Sequence, residues 1–157
     1  MKTATVKEIK DELQHFSKDE LLEFCLRMVK FKKENKELLT YLLFEASNEA
    51  FYIEGLKKII TISFEEINIK SYYFIKKSVR KILREIKKHI RYSKNKETEI
   101  ELLLFFCQKL AEFSPSMNKN IALRKIYDRQ IIYIKKSLKG LEEDLQYDFG
   151  VELNKLP

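Results

Sequence analysis

The side chains that could do chemistry in this chain of 157 residues are few, and most of them are cations. Between Lys70 and Lys96 stand eleven Lys or Arg and one acid, Glu85, so this stretch carries +10 while the rest of the chain sums to −3. Clustered Lys and Arg gain by neutralising nucleic-acid phosphates and releasing their counterions, or by meeting the carboxylates of an acidic protein. Metal chemistry is not expected, because His15, His89, Cys25 and Cys107 stand far apart and no His-Glu cluster has ligand spacing. Three widely separated glycines exclude a phosphate-cradling loop, and no cofactor is implied.

The cations lie on a segment whose periodicity predicts a helix over Ser71 to Tyr92, followed by a polar joint at Ser93 to Lys96. At about 100° per residue, Ile75, Val79, Ile82, Leu83, Ile86 and Ile90 share one arc of roughly 100°. Lys76, Lys77, Arg80, Lys81, Arg84, Lys87, Lys88 and Arg91 fill most of the remainder. One face should pack on a core, leaving the other as a cationic ridge. Such a ridge has three readings: a solvated lysine-rich face partly neutralised by the acidic C-terminal segment, a contact for RNA or DNA phosphates, or a contact for an acidic protein or anionic membrane surface. Under the second reading Tyr72, Tyr73 and Tyr92, at the ends of the ridge, would stack on unpaired bases. No base-reading motif accompanies the cations, so binding would be driven by the backbone.

Within the same helix, Arg84-Glu85-Ile86-Lys87-Lys88-His89 sets an Arg and a His with four residues between them. This spacing resembles that found near a helix end in HEPN-type ribonucleases, which are small, all-helical and commonly dimeric. The resemblance covers six residues, and Glu85 departs from the Asn, Asp or His more usual after the Arg. It implies that Arg84 stabilises the phosphorane charge and His89 acts as acid or base. The residues alone give a blander alternative, a surface histidine at 89 and a helix-end dipole partner at His15.

Scarce Gly and Pro with abundant Leu, Ile, Lys and Glu predict long helices with short joints. Thr5 to Gln14 reads as a first helix. Ser17-Lys18-Asp19-Glu20 is a capping box that starts a second, with Leu21, Leu22, Cys25, Met28 and Val29 at helical spacing. After a charged joint at Lys30 to Lys36, Leu38, Leu39, Leu42, Leu43 and Ala46 form a third stripe that should pack on the second as a hairpin. A fourth helix is expected between Asn48 and about Ile69, with Tyr52, Leu56, Ile59, Ile60 and Ile67 on one face and the aromatics Tyr41, Phe44, Phe51 and Tyr52 serving packing. Ile100 to Phe113 is apolar nearly all round and should be surrounded. Ser114-Pro115-Ser116 stops it, and a last long helix runs from about Met117 to Leu138 with Gly140 as its cap. Both cysteines sit in apolar stretches, read as buried free thiols, and point to the cytoplasm. Met1 to Asp11 lacks the apolar core of an export signal, and the longest apolar run, Leu102 to Cys107, is too short to span a membrane.

Leu21 to Phe31 aligns with Leu103 to Phe113 at five identical positions of eleven, an echo that leaves a helical repeat open beside a simple bundle. The chain, above all Glu20 to Ala46 and Leu145-Gln146-Tyr147-Asp148-Phe149-Gly150, also resembles a family of small lysine-rich helical proteins of Bacteroidota-type bacteria, to which no activity is attached. The expectation is therefore an all-α protein of about six to seven helices, an antiparallel bundle or short repeat array, forming one domain over residues 1–157. Residues 141–157 would be an acidic tail or short helix around Glu142 to Tyr147. Its work would be non-enzymatic binding through residues 70–96, with the HEPN-like ribonuclease as alternative.

Overall fold

The computed structural model describes all of residues 1–157 and is all-helical, 79% helix with no strand. Eight α-helices follow one another: α1 (Val6–Leu13), α2 (Lys18–Phe31), α3 (Lys33–Thr40), α4 (Glu49–Glu65), α5 (Tyr72–Ser93), α6 (Lys96–Glu112), α7 (Ile121–Leu138) and α8 (Glu143–Asn154). A π-helical turn, Tyr41–Glu45, follows α3, and a 3₁₀ turn, Met117–Lys119, precedes α7. No helix is long and apolar enough to cross a membrane. The chain divides into two compact units, Met1–Phe44 and Glu45–Pro157.

The first unit is built from local signals. Thr5 and Ser17 cap α1 and α2 through reciprocal bonds with Glu8 and Glu20, the carboxylate of each Glu receiving the capping residue's N–H at 2.6 and 2.8 Å. The charged joint shrinks to one extended residue, Lys32, and most of the run after it enters α3, whose Asn35 side chain donates to the Met28 carbonyl at 2.9 Å. Phe16 meets Phe24 edge-on with centroids 5.0 Å apart. No residue of α1, α2 or α3 is buried, and Cys25 is exposed. The expectation of a buried thiol at 25 is therefore wrong, because α2 lies where no neighbour closes over it.

The second unit has the core. α6 packs against α4, α5, α7 and α8, and eight of its residues are buried, including Leu102, Leu103, Phe106 and Cys107. Its all-round apolarity predicted this position. α4 presents Tyr52, Leu56, Ile60 and Phe64 to the interior, whereas Ile59 of the predicted face is exposed. Phe44 and Phe51, expected to serve packing, are exposed as well, Phe51 because it lies away from the side on which α4 meets the core. α5 ends at Lys94, whose φ of 56° is left-handed, with its N–H on the Ile90 carbonyl. Asn95 then caps α6 through its side-chain oxygen. Gly140 does not act as a left-handed cap, since α7 closes on Lys139 in the right-handed region. The acidic C-terminus is a full helix, α8, twice the length expected, and it packs on α6 and α7.

Candidate nucleic-acid interface

α5 is the element that positions the cations. Its buried residues are Ile75, Val79, Ile82, Ile86, Ile90 and Tyr92, and the first five fall on one side of the helix, fixing its rotation. At about 100° per residue the eight predicted cations then share a continuous arc of about 140° facing away from the core. Six of them, Lys77, Arg80, Lys81, Arg84, Lys87 and Arg91, are exposed, and none takes part in an ion pair. Lys76 is half-buried, and Lys88 is half-buried with its Nζ 2.7 Å from the Glu85 carboxylate. From Lys77 to Arg91 the stripe runs for about 21 Å at 1.5 Å per residue.

The acids of α8 do not ion-pair with this stripe, and α8 packs on other helices. No acid of the C-terminal segment pairs directly with the stripe, whose six exposed cations face solvent. Single-sign charge on one helix face raises the local potential and attracts polyanions.

The three tyrosines separate. Tyr92 is buried, in edge-to-face contact with His89 at 5.5 Å between centroids, so it cannot stack on a base. Tyr72 is half-buried and donates its hydroxyl proton to the Ser116 carbonyl at 3.1 Å. Tyr73 is 63% exposed and stands edge-on to Phe74, itself 42% exposed. Tyr73 lies on the cationic arc one turn before Lys77, and Phe74, beside it, was not among the aromatics expected there.

Arg84 and His89 are not brought to one face. Five residues of helix rotate them about 140° apart. Arg84 points to solvent, whereas His89 is half-buried with Nδ1 2.9 Å from the Tyr52 hydroxyl on α4. His15 is exposed beyond the end of α1, where its backbone N–H donates to the Glu12 carbonyl at 3.0 Å.

Two features were invisible in the sequence because each joins residues of different helices. Glu49, in the first turn of α4, accepts from the Ser93 hydroxyl and, at 2.6 Å, from that of fully buried Thr98, tying three helix ends together. Beside the stripe, α4 and α5 enclose a cleft of about 260 Å³, apolar along Leu56, Ile60, Ile82 and Ile86 and edged by polar side chains including Lys81 and His89. No family model, curated protein or solved structure matches this chain, so its own geometry carries the functional reading.

Proposed function

We propose that the second unit, packed as an antiparallel bundle around α6, is a non-enzymatic nucleic-acid-binding module whose contact surface is the outer face of α5. The supporting observation is one arc that holds six exposed cations free of ion pairs together with the exposed ring of Tyr73. Cations along a straight helix neutralise successive phosphates, and an aromatic ring at the end of the row offers a platform to an unpaired base. An acidic protein would use the cations but has no need of the ring, which favours a single-stranded nucleic acid. Arg84 and His89 face different directions and share no phosphate in this reading, so bound RNA stays intact.

Fluorescence anisotropy of labelled single-stranded and duplex RNA at two salt concentrations tests it. Binding should weaken with salt at a slope of about −0.7 per phosphate contacted on a single strand. A combined Arg80→Ala, Arg84→Ala and Lys87→Ala variant should flatten that slope by about 2. A salt slope unmoved by the triple change would place binding elsewhere, and RNA cleavage lost on His89→Ala would restore the ribonuclease alternative.

A further inference from the structure

We infer that the cleft between α4 and α5 receives a single nucleobase from the strand held on the stripe, and that it prefers bases carrying an amino group. This rests on the reading of α5 given above. Going around α5 from the cationic arc, Lys81 comes first, then Glu85, Ser78 and His89, in steps of about 20 to 40°. All four line the cleft, so Lys81 borders the stripe and the cleft at once. A phosphate seated at Lys81 stands one sugar away from a base that can enter.

The opposite wall is one face of α4, where Ile59, Ser63 and Glu66 follow at helical spacing. Ile59 is exposed toward solvent although its neighbour Ile60 is buried, so an apolar surface remains open at the mouth. A base needs apolar contact on its flat faces and hydrogen-bonding groups at its edge. The aliphatic side chains of Ile59, Ile82 and Ile86 supply the first.

The polar groups on the α4 wall, away from the stripe, are acceptors. The Ser63 hydroxyl already donates its proton to the Ile59 carbonyl at 2.8 Å, which leaves its oxygen as an acceptor. Glu66 adds an exposed carboxylate there, and on the α5 side Glu85 adds one already held at 2.7 Å by Lys88. Carboxylates turn phosphates away, so the charge that draws the strand to the stripe does not fill the cleft with its backbone. The Glu66 carboxylate, with the Ser63 oxygen beside it, accepts from the exocyclic amino group of cytosine or adenine. Uracil presents two carbonyl oxygens around a single N–H and meets them badly.

Short labelled oligo(C) and oligo(U) RNAs, titrated into the full chain at equal salt and neutral pH, test the inference. Oligo(C) should bind about tenfold more tightly, the discrimination one well-made edge contact supplies. Ser63→Phe, which fills the cleft from the wall away from the stripe, should bring oligo(C) down to the oligo(U) affinity and leave oligo(U) unchanged. Glu66→Gln, at an exposed position that the fold does not need, should reduce the preference even if the Phe variant unfolds. Equal affinities for the two RNAs in the unaltered protein would overturn the cleft inference while leaving the stripe intact. A preference that survives Glu66→Gln and a folded Ser63→Phe would also overturn it, and failure to bind either RNA would remove the reading of α5 together with it.

Discussion

Leu21 to Phe31 on α2 and Leu103 to Phe113, on α6 and its C-cap, share Leu-Leu, Phe-Cys and a closing Phe in the same register, yet they meet opposite environments. Leu103, Leu104, Phe106 and Cys107 are buried, whereas Leu22, Phe24, Cys25 and Phe31 are exposed. The reason lies in the residues between the shared ones. α6 has Leu102 and Phe105 where α2 has Glu20 and Glu23, so α6 offers apolar surface in every direction and four helices close over it. The acids of α2 keep one side in water, and its unit holds only the short neighbours α1 and α3. The same local code therefore builds a core helix or a surface helix according to what fills the intervening positions and how many partners are within reach.

Thiol chemistry should expose this difference most strongly. Burial pushes the Cys107 thiol up to about 12, more than three units above an ordinary free thiol near 8.5. With so little thiolate and no access, Cys107 should react at least about a thousandfold more slowly than Cys25 with an aromatic disulfide reagent at mildly alkaline pH. One equivalent released promptly and the second only on unfolding is the expected trace; two prompt equivalents would mean that α6 is not enclosed.

Paired truncations come next. Phe106→Ala should cost about 3 to 5 kcal/mol in urea unfolding, the range for a large side chain removed from a closed core. Phe24→Ala, which loses chiefly the edge contact with Phe16, should cost about 1 kcal/mol. Equal losses would show that α2 is covered in solution.

The smallest effect is at the caps. Ser17→Ala should destabilise α2 by about 1 kcal/mol without moving the core of the second unit, as read from amide exchange. Bonds from the Thr5 and Ser17 backbone N–H groups, then from their hydroxyls, hold the Glu8 and Glu20 carboxyls below the usual carboxylate range. A carboxylate with a lowered folded value contributes its stabilisation fully above the unfolded value and loses it as pH falls through the folded one. Acidification below about pH 4 should therefore fray the first turns of α1 and α2 before it touches α6.

Local reading succeeded where the signal was local. The capping box at Ser17, the stop at Ser114-Pro115-Ser116 and the apolar arc of α5 each depend on residues within a few positions of one another, and each stands in the structure. It failed where distant elements decide. Tyr92 looked available for stacking and is covered by packing, and Ile59 looked like core but faces the cleft.

The sequence by itself determined an all-helical chain, the capped starts of the first two helices, and a cationic arc opposite an aliphatic one on α5, because helical periodicity and capping are properties of neighbouring residues. Only the tertiary structure decided that Cys25 is open and Cys107 closed, that His89 turns to Tyr52 rather than to Arg84, and that a cleft borders the stripe. Those outcomes depend on which helices pack together, and packing joins residues that sequence spacing cannot relate.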